Sequence, residues 1–431
     1  MPRGVGYRCD RLAHAFVEID LTEKLMSGVT AELDQLVGGA DAIGTHQDLA
    51  LKRPAVELAE RGLEHRSKQL PPRMVAFRRL RGRGSTRMTD RSVHMWVEQV
   101  RDSYSTYSPP PEAVGMTTRH ELCFVEAYAR DIFSGAGRIV DLGCWYGATT
   151  AALARGLHAN AHAENNAVVE AYDLFVWETW MDGHAERLKH LGKRYHVNDC
   201  FLPDVAELLR PYGDLVTLEQ RDLLEPKPPG PPIEFLFIDA MKSWALGQSI
   251  VKSFFPSLIP KKSYVVQQDF VWYHPAMLSA HLLMWYMRDH FEFVHHVPWS
   301  CSAVFRYTKV LDSTEIRLPP PEFFTLEMIH EAYEYSAACA ESARVDYVKA
   351  GKLFFLLERG FYEAALQEGR ALFEVDRNLP PNLVGGMANL MSTYRKRAAS
   401  ETTSQDQTSA VSRVEAIEKL ILQASSFEHK N

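Results

Sequence analysis

The chain has 431 residues but only six cysteines, and no two of them form a Cys-x-x-Cys pair. Cys9, Cys123, Cys144, Cys200, Cys301 and Cys339 lie far apart, which argues against a structural zinc site and a disulfide framework and for a reducing compartment. Positive charge is not in surplus. With a net charge of −7 there is no global case for nucleic-acid binding. No apolar run approaches the length of a membrane span. The first residues lack a sustained apolar stretch, so no secretory signal is expected and a cytoplasmic location is. No internal repeat covers the first 95 or so residues, and the one repeat-like helical pair, Val348–Leu357 with Tyr362–Phe373 around Gly360, is not an array. What remains, 46% hydrophobic and 24% charged residues, is the composition of a soluble globular protein large enough for two or three domains.

Composition and pattern divide the chain into four parts. Residues 1–103 read as an N-terminal extension, partly disordered, with amphipathic segments around Leu12–Leu36 and Leu49–Leu63. A basic run follows (Arg73, Arg78, Arg79, Arg81, Arg83, Arg87), read as a solvated linker, with a polyanion-binding arm as the alternative. Residues 104–310 alternate strand-like and helix-like segments. Residues 311–398 read as helical, and residues 399–431 as a flexible polar linker, Ser400–Ser412, with a terminal helix over Val414–Ala424.

Within 104–310 the segment Thr117-Thr-Arg-His-Glu121 has the cap-and-acid spacing of a capping box and opens a helix. The predicted strands are Arg138–Leu142, Val168–Tyr172, Leu215–Glu219, Ile233–Ile238, Tyr264–Gln267, Phe291–Val297 and Ala303–Tyr307. Helical segments separate the first five, at Thr149–Leu157, His184–Leu191, Phe201–Leu209 and Ser243–Phe255, and Pro275–Asp289 precedes the last two. Such alternation gives an α/β fold with a mostly parallel, Rossmann-like sheet covered by helices on both faces, and an antiparallel hairpin at one end.

The first strand runs into Asp141-Leu-Gly-Cys-Trp-Tyr-Gly147. Gly143 and Gly147 allow a tight turn and close backbone approach, and Thr149 and Thr150 are placed to cap the next helix. An acid at the strand end accepts from a cationic or hydroxyl-bearing ligand, which suits S-adenosylmethionine (SAM) better than a pyrophosphate. Ligands of open α/β sheets bind beyond the carboxyl ends of the strands, and five consecutive strands here end in or near a carboxylate: Asp141, Asp173, Asp222, Asp239 and Asp269. Asp173 suits ribose hydroxyls, with a helix cap as its bland alternative. Asp222 suits an adenine amino group, or is a solvated loop acid. Asp239 and Asp269 facing one cleft suit a hard divalent cation, or one of them is a metal-free general base. His274 could take a proton from an acceptor hydroxyl, or simply mark a helix entry. Phe270, Trp272 and Tyr273 suit either stacking on an acceptor or plain packing at that helix entry, Trp177, Trp180 and Met181 suit a lid or core packing, and His295 and His296, of which alternation along a strand would let only one face the cleft, read as structural.

These residues resemble the class I SAM-dependent methyltransferases, and the acid-x-Gly-x-Trp-x-Gly form of the first motif resembles the macrocin O-methyltransferase family, which methylates sugar hydroxyls. Phe237-Ile-Asp-Ala240, Phe254-Phe-Pro-Ser-Leu-Ile-Pro260 and Tyr264-Val-Val-Gln-Gln-Asp-Phe270 look like later motifs of that family, over about residues 112–308. The resemblance implies a seven-stranded methyltransferase sheet. It implies SAM held by Asp141, Gly143, Cys144, Trp145, Gly147, Asp173 and Asp222, and an acceptor that is a sugar, glycan or related small molecule. It also implies Mg2+ held by carboxylates that include Asp239 and Asp269. This chain departs there, with Gln268 in place of the first acid of an Asp-Asp pair and Met241 where another acid often stands. A metal-free site with Asp239, Asp269 or His274 as base is therefore equally admissible. Two other readings stay open: a non-catalytic scaffold of the same fold, and an NAD-dependent oxidoreductase, whose Gly-x-Gly-x-x-Gly loop Cys144-Trp145-Tyr146 fits poorly. A homo-oligomer is also admissible.

Overall fold

The computed structural model describes residues 90–428, apart from 162–166, 189–190, 227–229, 231, 276–277, 374–378 and 402–403. The expected amphipathic segments and basic run before residue 90 lie outside the described residues. Those described fall into two units, Asp90–Asp102 and Ser103–Glu428. The first contributes helix α1 (Asp90–Ser103), in which Val93, Trp96, Val97 and Val100 form one buried stripe at helical spacing.

The second unit is built on a seven-stranded sheet in the order β3-β2-β1-β4-β5-β7-β6. The strands are β1 (Arg138–Leu142), β2 (Val169–Asp173), β3 (Val216–Gln220), β4 (Ile233–Ile238), β5 (Tyr264–Gln267), β6 (Phe291–His296) and β7 (Ala303–Tyr307). β1 to β5 run parallel, and β7 inserts antiparallel between β5 and β6. This is the expected α/β architecture. The strand runs are apolar because β1, β4 and β5 are covered on both faces: all six residues of β4 are buried. Its one charged residue, Glu234, is satisfied by accepting from the Ser134 and Ala136 backbone N–H groups at 2.6 and 2.7 Å.

One face is covered by α2 (Arg119–Asp131) and α3 (Ala148–Ala159), with Tyr128 against Phe235 and Tyr264. α2 opens with the expected capping box, Thr118 and Glu121 exchanging hydrogen bonds. α2 and α3 meet at Gly156, where a Cβ would run into the Glu126 carbonyl oxygen and stand 2.9 Å from the Ala129 Cβ. Helix propensity favours Ala there by up to about 1 kcal/mol. Overpacking against backbone costs roughly 3 kcal/mol, so Gly156→Ala should lower stability by about 2 kcal/mol, a fall of several degrees in a thermal melt.

After β2 come the short α4 (Ala185–Leu188) and α5 (Leu202–Leu209). The other face of the sheet carries α6 (Trp244–Phe254) and α7 (Ser279–Tyr286), whose apolar residues share one core with β1, β4, β5 and β7. That core continues into α8 (Leu326–Cys339), α9 (Val345–Glu358), α10 (Tyr362–Phe373), α11 (Pro381–Glu401) and α12 (Ser404–Glu428). The expected polar linker over 400–412 is corrected here, because α12 begins at Ser404 and buries Ala410, Val414, Ile417 and Ile421 as one continuous stripe. Among the described residues no helix is long and apolar enough to cross a membrane.

Candidate active site

The carboxyl edge of the parallel strands gathers the residues singled out in the sequence. β1 runs into a turn with three left-handed residues: Gly143 (φ 85°), Trp145 (φ 42°) and Gly147 (φ 82°). Gly143 donates to the Tyr172 carbonyl at 2.8 Å, and a Cβ on it would stand 3.1 Å from the Asp239 backbone. Its smallness therefore seats the turn against the loop after β4. Gly147 is the N-cap of α3, and no side chain caps that end. The expected caps are corrected: Thr150 Oγ1 instead donates to Asp141 Oδ2 at 2.7 Å, and Thr149 Oγ1 lies 3.1 Å from Thr117 Oγ1.

Trp145 occupies a backbone conformation that suits glycine, and what holds it there is packing. Its ring is buried, with Trp180 and His184 rings centred 6.2 and 5.9 Å away. Left-handed backbone costs a bulky residue roughly 1–2 kcal/mol, and deleting a buried Trp side chain costs about 3–5 kcal/mol. The packing term wins, so Trp145→Gly should destabilise the fold by about 2 kcal/mol in denaturant unfolding. Trp177 and Met181 are buried in the same cluster.

Asp141 is fully buried, and burial pushes its carboxyl up to about 7, with Asp173 adding to the rise and Thr150 opposing it. Its second oxygen, Oδ1, is buried with no hydrogen-bond partner. Asp173 braces the turn, accepting from the Trp145 N–H at 2.9 Å and the Phe175 N–H at 2.8 Å. Burial raises its carboxyl too. The Asp173 carbonyl accepts from the Arg221 N–H at 2.8 Å, which brings in the loop carrying Asp222. Asp222 Oδ1 accepts from the Leu224 N–H at 2.8 Å. The Cys144 thiol is buried and held well above its ordinary pKa by desolvation, so it is no nucleophile.

Beside this group, Asp239 and Asp269 come together across a residue the acid-centred reading missed. Lys242 donates to Asp239 Oδ1 at 2.7 Å and to Asp269 Oδ2. Burial pushes the Asp239 carboxyl up to about 7, against the pull of the Lys242 ammonium. Burial alone would lower the Lys242 pKa, but the two carboxylates hold it above its ordinary value. The only sequence signal was the i, i+3 spacing of Asp239 and Lys242 in the loop after β4. A small cavity at the pair is lined by Asp239, Asp269 and Lys242 together with Ile238, Met241, Gln267 and Ala280. His274 is buried, and desolvation with the nearby Lys242 lowers it to about 4, so it stays neutral. Glu121, expected only as a cap, also lies here: its buried carboxyl accepts from Ser302 Oγ at 2.5 Å and is raised by burial and by Asp269.

Of the two readings of Phe270, Trp272 and Tyr273, packing holds and stacking on an acceptor does not. Phe270 and Tyr273 are buried in the core, and Trp272 and Tyr273 pack on Tyr347 of α9. Nor do Asp239 and Asp269 fit Mg2+, because an ammonium stands between them and no group of three His, Cys, Asp or Glu with metal-binding geometry occurs among the described residues.

No family model matches the chain, and no curated protein does. Solved structures give distant likenesses only. A calicheamicin methyltransferase, CalS11, aligns over 54% of this chain and 100% of its own, at 13% identity and a TM-score of 0.33. Its apo form, described as a TDP-rhamnose 3'-O-methyltransferase, aligns over 52% and 97%, at 14% identity and a TM-score of 0.31. The B. subtilis M1A22 tRNA methyltransferase TrmK aligns over 72% and 99%, at 11% identity and a TM-score of 0.29. Likenesses this slight say nothing about the chemistry of this chain.

Proposed function

We propose that the chain is a SAM-dependent methyltransferase that methylates a hydroxyl on a sugar, glycan or related small molecule. The observation that carries this reading is Asp141. It is a fully buried carboxylate beneath a glycine turn, at the carboxyl edge of a mostly parallel sheet, with one oxygen lacking any partner. An orphaned buried carboxylate oxygen is costly, and a cationic ligand relieves the cost. A pyrophosphate at the same place would meet like charge.

When bound, SAM supplies a methyl group on a sulfonium. Asp141 would hold the cationic end of the cofactor, and the backbone of Gly143, Cys144, Trp145 and Gly147 would line its pocket. Asp173 and Asp222 would take the ribose and adenine ends; a carboxylate has about four acceptor positions, more than the N–H groups either already accepts from. Asp239 and Asp269 would receive the acceptor hydroxyl, and catalysis is then mostly placement of its oxygen in line with the methyl group.

Mass spectrometry of small-molecule and glycan extracts from host cells with and without the protein tests this. The expected result is a species that loses the mass of one methylene when the protein is absent. Identical profiles, together with no SAM binding by the purified protein, would end the proposal.

A further inference from the structure

Asp239 and Asp269 follow neighbouring parallel strands, β4 and β5, whose register pairs Ile238 with Gln267. Carboxylates so placed attract a cation, and the cation already there belongs to the chain. Lys242 leaves the loop three residues after Asp239, its N–H donating to the Ala240 carbonyl at 2.8 Å. The next residue, Ser243, caps α6 by accepting from the Leu246 N–H at 3.2 Å. The backbone on both sides is thus fixed, and the ammonium sits between Asp239 and Asp269 with its side chain only 15% exposed. A divalent ion in that position would meet a fixed positive charge held by both carboxylates.

We infer that Lys242 takes the place of a divalent cation, so that the acceptor site works without metal and offers the acceptor hydroxyl a fixed ammonium instead. An ammonium has three donors. Two are committed to Asp239 and Asp269, and the third is left for the acceptor oxygen. In the transfer step the acceptor hydroxyl gives its proton to a carboxylate of the pair, and its lone pair forms the new O–C bond. The electron pair of the broken S–C bond stays on sulfur as a neutral thioether. Lys242 steadies the oxygen while its proton leaves. This catalytic half rests on the methyltransferase reading; the exclusion of metal does not.

Mn2+ binding, followed by the electron paramagnetic resonance of the free ion and by thermal melts with and without Mn2+, tests the inference without turnover. The wild-type protein should leave the free-ion signal unchanged to millimolar concentration. Lys242→Ala should bind one Mn2+ and melt several degrees higher in its presence. The charge-keeping Lys242→Arg should be as silent as wild type, and Lys242→Gln replaces the alanine variant if that fails to fold. Wild-type uptake of Mn2+ that Asp269→Asn abolishes would overturn the inference. So would a neutral Lys242 variant as silent as wild type, because carboxylates that never attract a cation leave Lys242 nothing to replace. SAM binding measured on the same samples separates the two readings: a protein without SAM affinity that still shows this metal pattern refutes the enzyme and leaves the cation replacement standing.

Discussion

Asp141→Asn is expected to weaken SAM binding about a hundredfold and, in the unliganded protein, to raise stability at alkaline pH. The first effect is the loss of a charge-assisted hydrogen bond to a cationic ligand inside a dry site, roughly 3 kcal/mol. The second follows from linkage. Burial holds the Asp141 carboxyl at about 7 in the folded chain, against about 3.9 for an unfolded Asp. Between those values the folded state keeps a proton that the unfolded state has lost. Stability therefore falls as pH rises through this window and is lowest above pH 7. Three pKa units correspond to about 4 kcal/mol, and a buried amide without a full set of partners returns roughly 2 of it. Asp141→Asn should thus gain about 2 kcal/mol at pH 8 and show a flatter stability profile from pH 4 to 7. Denaturant melts across pH check this, and a variant less stable than wild type at pH 8 contradicts it.

Lys242→Met is expected to cost about 2–3 kcal/mol at neutral pH, because it leaves Asp239 and Asp269 facing each other with no cation. A fully buried pair would cost more, but these side chains keep some water contact. The sign with pH is distinctive. The loss requires an ionised Asp239, so it should shrink as pH falls through the raised Asp239 value of about 7. A variant equally destabilised at every pH would mean that Lys242 matters through its alkyl stem alone.

The strands were legible because strands inside a covered sheet must be apolar on both faces; the parallel Arg138–Leu142, Ile233–Ile238 and Tyr264–Gln267 and the antiparallel Ala303–Tyr307 match their sequence-derived bounds. His295 and His296 are structural as read, but both rings are buried where strict alternation would bury one, because the register shifts between Phe293 and His295. The terminal helix Val414–Ala424 is the second half of α12, whose first half was misread as linker because its composition is polar; of the buried stripe only Ala410 lies there. The choice between packing and acceptor stacking for the aromatic run at 270–273 was not legible, because only tertiary structure places α9 over it. Lys242 was overlooked because a search for carboxylates does not see the cation that joins them. Asp141 was found, but its unpartnered oxygen belongs to the three-dimensional arrangement and not to the motif.

The most direct test of a SAM site at the glycine turn is calorimetric titration of SAM into the wild-type protein and Asp141→Asn, with NADH as the comparison ligand. The expected result is a saturable one-to-one isotherm with SAM, weakened about a hundredfold in the variant, and no heat with NADH. Silence with SAM, or an isotherm that Asp141→Asn leaves unchanged, would contradict it.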